Sequence, residues 1–356
     1  LKYAQRLSEG FYIEPHNVWY FSYVLFVYGV RLLVPGTLAT GLVIGQYLLG
    51  LLALVALTDA GRRIYDSNRA GIAVGFVYCV FVELTFWHSY VLCESLYVSG
   101  VCFLLWSAVR LEQHRRSRYD WLLLIGLATW VAFLKPTGIA VWASLAALGV
   151  YALWPRLRPG WRWTMGILTV LLILLAADRM LATFGVIRNY EKGEVIFGIR
   201  SLPYRVDYRT LMLTPPEDIY VPQDSSTIRR IMTFVVQHPW YWIKLTTLKL
   251  WYFLAHIRPY WSGAHNAFNL ILLLPCYVLS FRMVRASRLP RWFVLASTVF
   301  VLVQCLSASL TSVDWDGRFL MPVLPVVFVL ASGYFANADG VSSRTYSRQK
   351  ASLKET

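Results

Sequence analysis

A polar stretch between two apolar runs is the most informative part of this sequence: Ser312-Val313-Asp314-Trp315-Asp316-Gly317-Arg318-Phe319-Leu320-Met321-Pro322-Val323-Leu324-Pro325. The runs on either side, 292–309 and 319–335, are each about long enough to cross a bilayer. Charged side chains in such a place are costly unless they line a wet cavity or hold a charged ligand. The stretch is therefore either a polar turn between two helices or the membrane-surface end of an active site for a phosphate-linked substrate.

The composition extends this interpretation to the whole chain. Of its 356 residues, 57 % are hydrophobic and only 15 % are charged, against roughly 25 % charged in average globular chains. The apolar residues fall in long blocks, which predicts an all-α, polytopic transmembrane helix bundle of about nine spans, with interfacial helices and one longer external loop. The predicted spans are 37–57, 70–86, 89–109, 119–134, 137–154, 164–184, 266–281, 292–309 and 319–335.

The net charge of +15 indicates topology rather than nucleic-acid binding. Basic residues cluster in short linkers that alternate with basic-poor ones, as the positive-inside rule expects of cytoplasmic loops. We therefore divide the chain into an N-terminal transmembrane part with the first external loop (1–184), an external loop with an interfacial helix (185–264), C-terminal transmembrane spans (265–336) and a cytoplasmic basic tail (337–356).

Two segments outside the predicted spans carry further predictions. Residues 225–256 are predicted to form the interfacial helix, with Ser225, Ser226 or Thr227 as its cap and a kink at Pro239. The aromatic-rich segment 18–34 is either a full span or an interfacial helix broken at Pro35-Gly36. We favour an interfacial or re-entrant helix, since a full span would put residues 1–17 in the cytoplasm.

This topology brings several ionisable residues to one face of the membrane. Glu94, within a span, is either bonded to a neighbouring polar side chain or part of a substrate cavity. His88, at the adjacent corner, is an interfacial residue or else a base or ligand. Lys135 either snorkels to the surface or binds a lipid-linked phosphate as a point charge. Arg318 either pairs structurally with Asp316 or binds phosphate oxygens with its guanidinium.

Several functional classes lack their signatures in this sequence. We find no nucleotide-binding glycine loop, no paired helical zinc ligands and no nucleophile elbow. The five cysteines are odd in number and have no metal-type spacing, so we interpret them as buried small hydrophobic residues.

Five segments occur in an order that carries a family resemblance. They are Tyr3-Ala4 with Leu7-Ser8-Glu9-Gly10, Cys93-Glu94-Ser95-Leu96-Tyr97, Leu134-Lys135-Pro136-Thr137-Gly138, His238-Pro239-Trp240-Tyr241 followed by Lys244 and Lys249, and Gly317-Arg318-Phe319-Leu320-Met321-Pro322-Val323-Leu324-Pro325. In this order the sequence resembles the GT-C superfamily of membrane glycosyltransferases, near the dolichyl-phosphate-mannose and bacterial aminoarabinose transferases. The resemblance covers nearly the whole chain.

The resemblance implies inverting transfer of a sugar from a polyprenyl-phosphate carrier to a glycan, lipid or protein acceptor of the cell envelope. A carboxylate would take the proton of an acceptor hydroxyl, while cations stabilise the departing lipid phosphate. In the family this carboxylate lies a few residues before the tyrosine that Tyr3 matches, so we expect it upstream of Leu1 in an N-terminally truncated sequence. The expected location is a bacterial plasma membrane, with the site on its external face.

The site residues follow from the resemblance and from the ionisable residues together. Lys135 and Arg318 are assigned to the lipid phosphate, with His256 and Arg258 as a further basic pair. The catalytic candidates are Glu14, which would position the acceptor, Glu94 and Asp316; His88 and Asp314 are assigned to the cavity. No metal ligand is predicted, and whether a divalent metal assists is left open.

Two other functions remain compatible with the sequence. A transporter or flippase for a lipid-linked or anionic substrate would also place charges within membrane segments, but should show repeat symmetry and broken helices. A non-catalytic membrane subunit would use the loop 185–264 as a docking surface.

Overall fold

The computed structural model describes residues 2–9, 15–113, 117–199, 211–222, 225–286, 289–311 and 313–336. The candidate residue Glu14 and the basic tail 337–356 lie outside these ranges. The described residues form a helical bundle with one short pair of parallel strands, β1 (Ile196–Phe197) and β2 (Val313–Asp314). The predicted all-α class is confirmed.

The α-helices of the described residues are α1 Lys2–Glu9, α2 Pro15–Val18, α3 Phe21–Leu33, α4 Leu38–Tyr65, α5 Asn68–Val80, α6 Val82–Phe86, α7 Cys93–Gln113, α8 Arg118–Ala132, α9 Ile139–Leu153, α10 Pro159–Ala182, α11 Val186–Lys192, α12 Thr227–Gln237, α13 Pro239–Ala255, α14 Gly263–Arg285, α15 Arg291–Leu310 and α16 Leu324–Ala336.

Six helices in the described residues are long and apolar enough to cross a membrane, so the chain is a multi-pass membrane protein. They are α4, α7, α10, α14, α15 and α9 with its flanking turns. The pair α5 and α6 would make a seventh span, bent by 64° at Phe81. Of the nine predicted spans, 119–134 corresponds to α8 with 15 residues, and 319–335 contains α16 with 13. Both helices are shorter than a typical span of about 20 residues.

Two predictions about the segments outside the spans can be compared with the structure. Ser226 caps α12 by accepting a hydrogen bond from the Arg229 backbone N–H at 3.3 Å, as predicted. The kink predicted at Pro239 is a full break at His238, because a residue before proline disfavours the helical conformation. Helix α3 has 13 residues, or about 20 Å at 1.5 Å per residue, which favours the interfacial or re-entrant interpretation of 18–34.

The bundle is packed around α7 and α16. The most apolar part of α7 is 67 % buried, while that of α10 is only 11 % buried. Every residue of α16 from Leu324 to Gly333 is buried, although this helix is short. Helices α4, α5, α7 and α14 surround it. The first turn of α7, which contains the candidate residue Glu94, therefore lies in the most buried of the candidate spans.

A second hydrophobic core lies beside this bundle, in the segment 185–264 that the sequence predicts to be an external loop. Tyr190, Ile196, Phe234 and Leu245 are fully buried in it. Strand β1 belongs to this second core and pairs with β2, which places Ile196 opposite Val313 and Phe197 opposite Asp314. The pairing ties the polar stretch 313–318 to the second core.

The cysteines agree with their predicted role except at one position. Cys93, Cys102 and Cys276 are buried and Cys305 is half-buried. Cys79 is exposed, because it lies on a side of α5 that the bundle leaves uncovered. The prediction that all five are buried is wrong for Cys79.

Replacing Gly71 with alanine should destabilise the bundle, because a Cβ there would lie 2.9 Å from the carbonyl oxygen of Thr58 and 3.0 Å from Cβ of Arg62. Overpacking of this kind costs about 1–3 kcal/mol. Gly126→Ala on α8 is the matched control, since nothing lies within 4 Å of its Cβ position. Thermal unfolding in detergent measures both variants. An equal or higher unfolding temperature for Gly71→Ala would contradict the close approach of α4 and α5.

Candidate functional site

A buried ion pair joins the first turn of α7 to the turn between α8 and α9. Lys135 Nζ donates a hydrogen bond to Glu94 Oε1 at 2.8 Å. The two residues are only 3 % and 2 % exposed. Lys135 Nζ also lies 3.9 Å from the ring centroid of Phe319. Lys135 therefore does not snorkel to the surface, and the polar partner of Glu94 is a lysine rather than a serine or tyrosine.

Arg318 brings the polar stretch into the same cluster. Its Nε lies 3.7 Å from Glu94 Oε1 and 2.5 Å from Asp314 Oδ2, and its Nη2 also contacts Asp314. Asp316 accepts a hydrogen bond from the backbone N–H of Arg318 at 3.3 Å. The cluster thus contains two cations and three carboxylates. Glu94 and Lys135 come from the first half of the sequence and the other three from the stretch 314–318, so the predicted Arg318–Asp316 pair is only one part of the cluster.

The loop that carries Arg318 is held in place from behind. Arg258 is 1 % exposed, and its guanidinium donates to the carbonyl oxygens of Tyr252, Ile257 and Asp314. Gly317 has φ of +76°, and a Cβ there would lie 2.9 Å from His256 Nδ1 and closer still to Cε1. Only glycine fits both the left-handed backbone and the adjacent ring. The Arg258 guanidinium and the His256 ring therefore pack directly behind the loop.

Two cavities meet at Arg318. The ionic cavity, about 320 Å³ in volume, is lined by the charged groups Glu94, Lys135, Asp314 and Arg318, together with Tyr20, Asn189 and Phe319. The aromatic cavity, about 420 Å³, is lined by Phe86, Trp87, Tyr90, Trp261 and Trp315, together with Glu83, His265, Asp316 and Arg318. Arg318, with Leu92, belongs to both linings. Arg318 is the charged side chain at the boundary between the ionic and the aromatic cavity.

The sequence analysis did not identify the polar cluster at the edge of the aromatic cavity. Glu83 on α6 accepts hydrogen bonds at 2.5 Å from Nε2 of His256 and from Nε2 of His265. Asn269 Nδ2 donates to the same carboxylate at 3.2 Å. Glu83 lies more than 170 positions before His256 in the chain, and no spacing rule connects residues so far apart. The only sequence signal was the presence of two histidines, one at the end of α13 and one near the start of α14.

The other predicted site residues lie behind or beside the cavities. His256 is fully buried and bonded to Glu83, and Arg258 is held by backbone carbonyls, so neither lines either cavity. His88 is 3 % exposed, with Nδ1 at 2.5 Å from Ser95 Oγ. It is buried in the bundle rather than interfacial, and it lines neither cavity. Asp314 lines the ionic cavity and Asp316 lines the aromatic cavity.

The ionisation of the polar stretch follows from burial and from neighbouring charges. Burial and the adjacent carboxylate of Asp314 raise the pKa of Asp316 to about 6. Burial acts to lower the pKa of Arg318, but Glu94, Asp314 and Asp316 together raise it above its usual value. Arg318 thus stays charged at every physiological pH, while Asp316 titrates near neutrality.

The comparisons with known proteins add no relative. No family model, no curated protein and no solved structure matches this chain. In the described ranges, no group of three or more His, Cys, Asp or Glu residues is arranged to hold a metal ion. The interpretation of the site rests on the geometry given above.

Removing one partner of the buried ion pair should destabilise the protein more than removing both. Lys135→Met leaves the Glu94 carboxylate with only the more distant Arg318, which should cost about 3–5 kcal/mol. Adding Glu94→Gln removes the uncompensated charge and should recover most of the loss. Thermal unfolding of the two variants in detergent tests this difference. Equal losses in the single and double variants would contradict the unpaired buried carboxylate as the cause of the loss.

Asp316→Asn should stabilise the protein above pH 6 and leave its stability unchanged near pH 4. Because the pKa of Asp316 is raised on folding, the folded state binds more protons than the unfolded state between these pH values, and stability falls as pH rises. Asparagine removes this loss, with a gain of about 1–3 kcal/mol at pH 7.5. The control is Asp218→Asn at an exposed position. A pH-independent difference between Asp316→Asn and the wild type would contradict the raised pKa.

Proposed function

We propose that this protein is an integral-membrane glycosyltransferase that moves a sugar from a polyprenyl-phosphate carrier to an acceptor at the external face of the membrane. The observation that carries the proposal is the pair of cavities that meet at Arg318. Transfer requires one compartment for an anionic leaving group and another for the acceptor, with the reacting carbon between them. The ionic and aromatic cavities supply these two environments.

The ionic cavity suits a lipid-linked phosphate. Lys135 is a point charge and Arg318 is a planar donor, and both types of group bind phosphate oxygens. Asp314 engages Nε and Nη2 of Arg318, and in the described part of the chain nothing accepts a hydrogen bond from Nη1. Glu94 and Asp314 hold the two cations in place before the substrate arrives. Fixed charges aimed at a leaving group lower the barrier to its departure.

The aromatic cavity suits the acceptor. Trp87, Trp261 and Trp315 provide flat apolar surfaces, while Asp316 and Arg318 provide polar contacts at one wall. Such a mixture of rings and a few fixed polar groups is typical of sites that orient small ligands. A glycan, lipid or protein acceptor with an exposed hydroxyl group would fit this chemistry.

The ends of the helices support an external location. Arg62 and Arg63 lie in the last turn of α4, and Arg282 and Arg285 in the last turn of α14. The site lies on the opposite side of the bundle from these arginines, where α7 and α9 begin. Since basic linkers favour the cytoplasm, the cavities would open on the other side. We place the protein in a bacterial plasma membrane.

Arg318→Ala should abolish transfer while the protein remains folded, because the leaving phosphate would lose its charge partner. Arg318→Lys should retain only part of the activity, since lysine lacks the fork of donors. The measurement is release of polyprenyl phosphate from a panel of polyprenyl-phosphate hexoses and pentoses by the full-length protein in membranes.

Arg188→Ala is the matched control, since this arginine on α11 is exposed and lines neither cavity. Unchanged turnover in Arg318→Ala would exclude a role for this side chain in transfer. If no carrier in the panel releases its phosphate with folded wild-type protein, the chain is not a glycosyltransferase of this kind. A transporter or membrane subunit would then be the better hypothesis.

A further inference from the structure

We propose that His265, oriented by Glu83, takes the proton of the attacking acceptor hydroxyl in the aromatic cavity. This proposal rests on the proposed glycosyl transfer and adds a proton acceptor to it. Glu83 and His265 belong neither to the five sequence segments of the family resemblance nor to the ionic cluster around Arg318. His265 contacts both the Glu83 carboxylate and the Trp261 ring.

Glu83 fixes the tautomer of His265. The carboxylate Oε1 lies 2.5 Å from His265 Nε2, so this nitrogen carries the proton that it donates to Glu83. The other ring nitrogen, Nδ1, then has a free lone pair. No described residue bonds to Nδ1. A neutral imidazole with one nitrogen held by a carboxylate and the other free is suited to accept a proton.

The orientation of the ring is fixed as well. His265 stacks on Trp261 with ring centroids 4.4 Å apart and planes at 8°. The Ser262 hydroxyl accepts a hydrogen bond from the His265 backbone N–H at 3.2 Å and caps α14. Glu83 is itself held by His256 and Asn269. The imidazole therefore has little freedom to turn, while its side chain is still 36 % exposed at the cavity.

The carboxylates of the polar stretch are less suited to this role. Glu94 and Asp314 are engaged by Lys135 and Arg318. Asp316 lies in the aromatic cavity, but it accepts the Arg318 backbone N–H and lies 3.7 Å from the guanidinium. These contacts commit the carboxylate to Arg318, although burial and the neighbouring Asp314 raise its pKa to about 6. His265 is the cavity group whose lone pair is not committed to a cation.

The transfer step balances with His265 as the acceptor of the proton. The acceptor O–H bond breaks and its proton goes to Nδ1 of His265. The oxygen lone pair forms the new bond to the anomeric carbon of the sugar. The bond from that carbon to the phosphate oxygen breaks, and its electron pair leaves with polyprenyl phosphate beside Lys135 and Arg318. The resulting imidazolium is stabilised by Glu83 and later releases its proton to water.

The test compares His265→Gln with the wild-type full-length protein in membranes, using the same panel of polyprenyl-phosphate hexoses and pentoses. Loss of a general base should lower kcat by about 10²–10⁴-fold and leave KM for the carrier nearly unchanged. Glu83→Gln should lower kcat by about 10–100-fold, because it removes the group that orients the ring. His238→Gln, the same substitution at the junction of α12 and α13, is the control and should retain full activity.

Chemical rescue separates a proton acceptor from a structural residue. In His265→Ala, added imidazole should restore part of the turnover, but it should not restore Arg318→Ala.

The outcomes separate this proposal from the one it rests on. Full kcat in His265→Gln, or no rescue of His265→Ala by imidazole, would overturn the role of His265. If the wild-type protein is active in the same assay, the proposed glycosyl transfer is unaffected by that result. The acceptor proton would then go elsewhere, as in the predicted carboxylate mechanism. Folded wild-type protein that releases no polyprenyl phosphate would overturn both proposals.

Discussion

The hydrogen-bonded ion pair between Glu94 and Lys135 is the interaction on which the site depends. A charge at the end of a membrane helix is costly unless a partner of opposite sign lies beside it, and this pair is almost completely buried. It joins α7, the most buried of the candidate spans, to the turn before α9. Arg318 then packs against the same carboxylate from a loop more than two hundred positions after Glu94 in the chain. The buried carboxylate of Glu94 thus has two cations beside it.

The sequence predicted which residues belong to this site better than it predicted which of them contact each other. Block hydrophobicity and basic linkers predicted a helical membrane protein, and Glu94, Lys135, Asp314, Asp316 and Arg318 were each identified as candidates. For Glu94 and Lys135, however, both a structural and a functional interpretation remained open. The choice depends on which side chains meet in three dimensions, and residues 41 positions apart give no sign of this in their spacing.

Arg258 and His256 show a second limit of such predictions. Both were assigned to a phosphate site because basic residues at a membrane surface often bind anions. In the structure, Arg258 holds the backbone of the neighbouring loop and His256 packs under Gly317. A basic residue that supports a loop and one that binds a ligand have the same signature in a sequence. The Glu83 cluster was missed for the opposite reason, since a single glutamate in a short helix gives no pattern.

The position of Arg318 in both linings has a consequence for how the two cavities communicate. A ligand that draws the guanidinium towards one cavity changes what the other cavity offers, and such coupling is reciprocal at equilibrium. Occupation of the ionic cavity would change the affinity of the aromatic cavity for its ligand. Occupation of the aromatic cavity would change the affinity of the ionic cavity by the same factor. The two ligands would therefore bind with cooperativity of either sign rather than independently. Because Arg318 is the charged side chain common to both linings, coupling between the two proposed ligands would need no movement of the helices.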